Sequence, residues 1–383
     1  MNSRSEVLKD ILHLSHQYGG NQDYVLLGGG NTSWKDDRVM YVKASGHALD
    51  EITADGFVAM DRSALDAIWE KTYPEGRKER EREVLEDMMA ARLPGETSRP
   101  SVEALLHSFI PMQFIVHLHP ALVNGMTCAR DGRPSAEALF GDEMIWVESV
   151  DPGYILAKVV RDEALSHEKR TGSFPAIIFL ENHGVFVSAD TPKEIDMIYN
   201  RLMDTLTASV QRSPDLSPLV IDPRREEIIR RGIRNGLDRD VKVVGVANRD
   251  LLKFADNSQA SQPIRSAFTP DHIVYSGHKP LWIEETVFDL SNPTEAAADL
   301  VKQYIADEQV PPKVVLVQRT GAFGIGSTVR LAESASLVFI DTVKVAVYSE
   351  SFGGYSFMKD DQIKFIRTWE VEQYRAQVQE GRG

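Results

Sequence analysis

Residues 113–118 read Q-F-I-V-H-L, an apolar run of the length and branching expected of a buried strand. A second run, A-I-I-F-L at 176–180, is followed by a short V-F-V strand, and Thr191-Pro192 then opens a helix that continues to about Arg212. Ahead of these, a polar segment with helical spacing carries His13 and His16 as surface residues, and the charged stretch 75–86 reads as the solvated face of another helix. Pro100 and Ser101 stand at the front of an apolar-periodic stretch, R-P-S-V-E-A-L-L-H at 99–107, and mark a helix start with Glu103 in its first turn. Two glycine-bearing turns follow apolar runs, Y-V-L-L-G-G-G-N-T-S at 24–33 and M-Y-V-K-A-S-G-H at 40–47. The segment S-P-D-L-S-P at 213–218 resists helix and strand alike, which divides the chain into domains 1–215 and 216–383.

Side chains on a strand alternate with period two. His117 and His119 therefore share a face, with backbones roughly 7 Å apart, and can converge on one ion while Leu118 points away. His183, in E-N-H-G at 181–184, stands at a strand end and supplies a third imidazole. Three neutral histidines suit zinc and leave a coordination position open for water or substrate, which separates a catalytic site from a closed structural one. Glu103 lies on the helix that leads through Pro111 into the histidine strand, so its carboxylate can stand near the ion as a base; taken alone, it would only offset the helix dipole. His107, four residues on, can share its helix face, either behind it or as part of the core. Glycines in the two turns allow close backbone approach and leave amide hydrogens facing an anion, while Asn31 and Ser45 add donors. With Ser101 upstream of the metal site, these turns favour a phosphorylated substrate. No G-x-x-x-x-G-K-[ST] string occurs, which argues against a nucleotide triphosphatase.

Taken in order, G-G-G-N-T-S, K-A-S-G-H, P-S-V-E, H-L-H-P and E-N-H-G-V-F resemble the class II aldolase/adducin family over roughly residues 5–212. Within that family the nearest likeness is to the rhamnulose-1-phosphate aldolase module of bifunctional sugar-catabolic enzymes, whose tail resembles T-P-D-H and P-P-K-V-V-L-V here. The resemblance implies an α/β fold, a three-layer α/β/α sandwich with a mainly antiparallel central sheet, with a smaller α/β extension at the C-terminal end. It further implies Zn2+, or another divalent metal, on His117, His119 and His183, with Glu103 as the acid/base and Asn31, Ser45, Gly46 and Ser101 at the substrate phosphate. The implied activity is a zinc-dependent aldolase, a lyase that cleaves a small phosphorylated ketose through a metal-stabilised enediolate, with dihydroxyacetone phosphate as the common fragment. A sugar-acid-phosphate decarboxylase, a pentulose-phosphate epimerase or a dehydratase would share the same site. A non-catalytic adducin-like interaction module is the reading of another class, and retention of all three histidines with Glu103 argues against it. Relatives commonly form rings of four with the site at a subunit boundary, so a homotetramer is expected.

Two departures from the family pattern bear on mechanism. Ser101 is followed by Val102 where relatives often carry a second serine, which removes one phosphate donor. Where several relatives place a proton-donating tyrosine downstream of the histidine pair, this chain reads Ala138-Leu139-Phe140-Gly141, and the nearest tyrosine is Tyr154.

Composition narrows the setting. With 43 basic and 57 acidic residues the formal charge is −14, which disfavours nucleic acid and anionic membrane as partners. A single cysteine, Cys128, excludes an intrachain disulfide and fits a reducing compartment. No long apolar run appears and the start, M-N-S-R-S-E-V-L-K-D, lacks a signal-peptide core, so a cytoplasmic location is expected.

Beyond residue 215 the chain echoes its first part. H-I-V-Y-S-G-H at 272–278 echoes 40–47, and L-V-Q-R-T-G-A-F at 316–323 echoes F-L-E-N-H-G-V-F at 179–186, with Thr320 in the place of His183. A degenerate repeat without metal ligands is expected, its apolar strand at 314–317 packed on the catalytic domain for cover and the stretch holding the base and the histidine pair lost. The same region contains G-A-F-G-I-G at 321–326, with Asp341 downstream. Its G-x-x-G-x-G spacing departs from the dinucleotide fingerprint, and no nicotinamide site is expected there.

Overall fold

The computed structural model describes residues 4–368. The chain forms two compact units, Met1–Thr127 with Asp131–Ser209, and Cys128–Arg130 with Val210–Gly383.

In the first unit, β1 (Asn31–Lys35), β2 (Val39–Lys43), β3 (Phe57–Asp61), β4 (Phe114–Leu118), β5 (Met144–Val147), β6 (Ile177–Leu180) and β7 (Gly184–Ala189) form one sheet in the order β3-β2-β1-β4-β7-β6-β5. Every neighbouring pair is antiparallel except β5 with β6. The helices of this unit are α1 (Arg4–Val7), α2 (Lys9–Gly19), α3 (Arg62–Ile68), α4 (Arg77–Ala90), α5 (Ala104–Phe109), α6 (Ala121–Thr127), α7 (Gly132–Phe140), α8 (Tyr154–Thr171) and α9 (Pro192–Ser209). Helices α3, α4, α5 and α8 cover one face, where Met40, Val42, Val58, Met60, Ile115, Ile178 and Leu180 make the core with Leu65, Val84, Leu106 and Val160. Helices α2 and α9 lie against β1, β4 and β7, with the Tyr199 hydroxyl donating to the carbonyl of Val116. The result is a three-layer α/β/α sandwich around a mainly antiparallel sheet. The alternation in β4 sets the position of the histidines, since Ile115 sits in the core under α5 and His117 shares its face.

Local chemistry explains where elements begin. Thr191 and Glu194 form a reciprocal capping box at the start of α9: the Glu194 N–H donates to the threonine oxygen and the Thr191 N–H to the glutamate carboxylate, at 3.3 and 3.1 Å. Asp61 caps α3 by accepting the N–H of Ala64. Two expectations need correction. Residues 99–101 run extended against the end of β2, where Ala44 bridges Pro100 and the Ser101 N–H donates to the Lys43 carbonyl, so α5 begins only at Ala104 with Glu103 as its capping residue. The charged helix α4 is not wholly solvated. It turns Val84, Met88 and Glu81 inward, and Glu81 accepts the N–H of Tyr154 at 3.0 Å.

In the second unit, β8 (Lys242–Val246), β9 (Leu281–Ile283), β10 (Val314–Val317) and β11 (Gly321–Gly326) form a sheet in the order β8-β11-β10-β9. Its helices are α10 (Pro223–Leu237), α11 (Arg249–Phe254), α12 (Pro270–Ser276), α13 (Pro293–Glu308), α14 (Val329–Ser349) and α15 (Asp360–Thr368). Ile229, Ile233, Ala297 and Val301 of α10 and α13 cover Val243, Val315, Val317 and Phe323 on one face, and α14 lies on the other. The apolar strand at 314–317 thus has its covering layers within its own unit. That removes the physical reason for expecting it to need the first domain.

The pairings β8–β11 and β10–β11 are antiparallel and β9–β10 is parallel, the same succession as β4–β7, β6–β7 and β5–β6. The match extends to register. Val314 faces Gly324 as Ile177 faces Val187, Arg319 takes the left-handed conformation that Asn182 takes, and α14 starts at Val329 as α9 starts at Pro192, each 137 residues later. Gly245 faces Phe323 as His117 faces Phe186, so the strand paired as the histidine strand is paired carries no histidine; among the described residues the set β1–β3 has no such match. The other echo is not structural, because 272–276 lie in α12 whereas 40–43 lie in β2. The glycine run at 321–326 is a strand, not a phosphate loop. An added Cβ at Gly324 or Gly326 would collide with the backbone of α14 at Ala332, so these glycines serve close helix packing.

Candidate metal centre and active site

Strand β4 ends at Leu118, and His117 and His119 bracket that end on the same face, their Nε2 atoms 2.9 Å apart. The third imidazole comes from the β6–β7 turn. Asn182 there adopts φ 56°, donates its N–H to the Thr127 carbonyl, and so turns the chain to present His183. Gly184 comes next because nothing larger fits: a Cβ would lie 2.5 Å from the Leu118 carbonyl oxygen and 2.6 Å from His119 Cδ2. One ligand nitrogen from each of His117, His119 and His183 lies within 4.8 Å of the others. His117 is wholly buried, whereas the other two are partly open.

Glu103 sits at the front of α5 and brings Oε1 to 3.5 Å from His117 Nε2 and 3.7 Å from His183 Nε2. That oxygen is buried and has no hydrogen-bond partner, while Oε2 accepts the Asn31 amide N–H at 2.6 Å. Burial alone would push this carboxyl up; the imidazoles of His117 and His183, then the Asn31 amide, hold it down at about 2. Burial also holds His117 well below the usual imidazole range, against the pull of Glu103. Its Nδ1–H donates to the Val185 carbonyl at 3.0 Å, which leaves Nε2 with its lone pair toward the cluster. Three convergent nitrogens, a neutral buried imidazole with an oriented tautomer, and an orphaned carboxylate oxygen beside them are the donor set a divalent cation requires.

The residues expected at a phosphate are held by two sets of hydrogen bonds. Ser45 and Ser101 are held side by side, since the Ser45 N–H donates to the Arg99 carbonyl at 2.8 Å and the Ser101 N–H to the Lys43 carbonyl at 3.0 Å. Gly46, exposed and at φ 91°, continues that turn. The Ser101 hydroxyl oxygen accepts the Glu103 N–H at 3.3 Å, which links this turn to Glu103. Asn31, in contrast, is tied at its amide to Glu103 and at its carbonyl to His107.

Three contributors escape the sequence reading. Lys43 Nζ donates to the carbonyls of Gly28 and Gly30 at 3.1 and 2.9 Å and so braces the glycine turn, while Lys35 Nζ donates to the His107 carbonyl at 2.7 Å. The signal for Lys43 was a lysine closing the apolar strand β2, where a buried ammonium is retained only with partners; Lys35 ends the polar strand β1, N-T-S-W-K, which carries no such signal. Tyr24 receives the His119 N–H on its carbonyl at 3.2 Å, a backbone contact with no side-chain signature. Tyr154 packs against Trp69 and Tyr73 instead.

A mainly antiparallel α/β/α sandwich whose central strand carries two histidines beside a helix-capping glutamate is the architecture of a known family. Residues 9–199 match the Class II Aldolase and Adducin N-terminal domain, and the chain belongs to that family. A curated Bacillus subtilis (strain 168) protein, the uncharacterized oxidoreductase YuxG, is 21% identical over 413 aligned positions that take in 96% of this chain. The chain spans 58% of the length of that relative. Among solved structures, the N-terminal class II aldolase domain of a conserved Thermoplasma acidophilum protein is 26% identical, with 54% of this chain and 92% of that one covered and a TM-score of 0.43. An L-fuculose-1-phosphate aldolase from Thermus thermophilus is 13% identical, with 54% and 94% covered and a TM-score of 0.34. No helix among the described residues is long and apolar enough to cross a membrane.

Proposed function

We propose that this protein is a metal-dependent lyase of the aldolase type that cleaves or forms a carbon–carbon bond in a small phosphorylated ketose resembling rhamnulose 1-phosphate. The observation that carries this reading is the buried, unpartnered Oε1 of Glu103 set against the three converging imidazoles. A non-catalytic module would have no compensation for that carboxylate.

Zinc, or another divalent ion, held by His117, His119 and His183 would supply Lewis-acid stabilisation of the negative charge that develops on substrate oxygens. Glu103 moves the proton at the donor carbon, being ionised and within reach of anything seated between it and the histidines. The Ser45 hydroxyl, Gly46 N–H, Ser101 hydroxyl and the second amide N–H of Asn31 orient the phosphate, so binding at the nonreacting end fixes the reacting one. The sheet of the second unit, β8 with β9–β11, is a metal-free repeat of part of the first; the matched pairings support this, with Gly245 and Thr320 standing where His117 and His183 stand.

The test is a panel of ketose 1-phosphates, pentulose phosphates and sugar-acid phosphates given to the metal-loaded protein, with products identified by mass. Release of dihydroxyacetone phosphate from a ketose 1-phosphate is the expected result. Turnover confined to decarboxylation, epimerisation or dehydration would replace the aldol reading, since those reactions can use the same residues.

A further inference from the structure

We propose that His107 is a positioning residue for Glu103: acting through Asn31, it fixes which carboxylate oxygen faces the three histidines. This rests on Glu103 being the base of the proposed reaction. The direction of each hydrogen bond follows from the carboxylate, which can only accept. Asn31 must therefore present its Nδ2–H to Glu103 Oε2, at 2.6 Å, which turns its Oδ1 toward His107 Nε2. That nitrogen must carry the proton. Nδ1 of the same ring is then an acceptor, and the Ser33 hydroxyl donates to it at 2.7 Å. The relay Ser33 to His107 to Asn31 to Glu103 is thus directed from end to end.

All four side chains are buried, with Ser33 and His107 fully so, and hydrogen bonds linked in a dry interior strengthen one another. The ring is held on its other sides as well. Lys35 Nζ donates to the His107 carbonyl at 2.7 Å, and Phe186 meets the imidazole edge at 5.5 Å while stacking on His117 at 4.0 Å. Burial, together with the Lys35 charge and against the pull of Glu103, holds His107 at about 3, so the neutral tautomer this chain needs is the resident form. With Oε2 engaged, Oε1 is the oxygen left to face His117 and His183.

The experiment has one arm without substrate and one with it. Nitrogen NMR of the full-length protein labelled in histidine should show His107 as the Nε2–H tautomer; an Nδ1–H tautomer overturns the proposal. In the second arm, on whichever substrate the panel identifies, His107→Leu should lower kcat by roughly 10–100-fold with KM within about threefold of wild type and zinc per chain unchanged. His107→Gln, whose amide can still donate to Asn31, should recover most of that loss. An unchanged kcat in a metal-loaded His107→Leu protein, or equal losses in both variants, overturns the proposal. If His107→Leu does not fold, the tautomer and the His107→Gln kinetics decide. Failure of the whole panel would count against the proposed reaction, while the tautomer would still report on the relay.

Discussion

Glu103 shows how a residue takes its role from its setting. Among the described residues it is the carboxylate whose buried, unpartnered oxygen faces His117 and His183, a setting created by a capping position, an extended 99–101 segment and the alternation of β4. Glu103→Gln should keep its metal and lose roughly 100-fold or more in turnover, measured on the substrate found by the panel, because an amide cannot accept the proton. Gly184 carries a second prediction. Gly184→Ala would press a methyl group against the Leu118 carbonyl and His119, at 2.5 and 2.6 Å, which should lower stability by roughly 1–3 kcal/mol and reduce bound metal. Chemical denaturation and metal analysis of that variant check both effects. The histidines and Glu103 are legible in the sequence because residue type and spacing state their chemistry. Asn31 reads there only as a phosphate donor because its second role depends on Glu103 and His107, separated from it by 72 and 76 positions. No local pattern encodes such partners.

At the scale of elements, period-two runs locate β4 and β6, and Thr191-Pro192 locates α9, because those signals are local. The start of α5 departs from its local signal, since Pro100 and Ser101 serve an extended pairing with Ala44 and Lys43 that only tertiary structure supplies. The α9 capping box makes a measurable prediction: Thr191→Ala should cost about 1 kcal/mol by thermal or denaturant unfolding. In the second unit, Asp250 at the start of α11 is fully buried and accepts from Arg212, Lys253 and the Asp215 N–H at 2.8, 2.8 and 2.6 Å. Burial pushes its carboxyl up, but Lys253, the Asp215 N–H and Arg212 together hold it below 3.8. Its folded-state value is depressed, so the stability it lends is present above 3.8 and is lost as the pH falls below. Asp250→Ala should remove that contribution, roughly 1–3 kcal/mol near neutral pH, and flatten the acid limb of the stability curve.

At the scale of the whole molecule, the sandwich is legible through ordered motifs, while the similarity of strand pairing between the two sheets is only half visible. The echo at 316–323 survives in strand register, yet β8 matches β4 in pairing without sharing its residues, because a β-ladder is held by backbone groups. The pairing of 128–130 with 354–356 has no sequence signal at all. Assembly belongs to this scale. His119 and His183 are partly open, and since relatives commonly place the site at a subunit boundary, a neighbouring chain or the degenerate repeat is expected to help close it. A homotetramer is therefore expected, and light scattering should give about four times 42.9 kDa. A fully active monomer would contradict that arrangement.

Three histidines from two separate strand ends are proposed to hold one catalytic ion beside Glu103. Elemental analysis of purified protein, after removal of adventitious metal and reloading with zinc, tests it most directly. About one zinc per chain is expected in the wild type, with a large loss in His119→Ala. Equal zinc in the two proteins would contradict it.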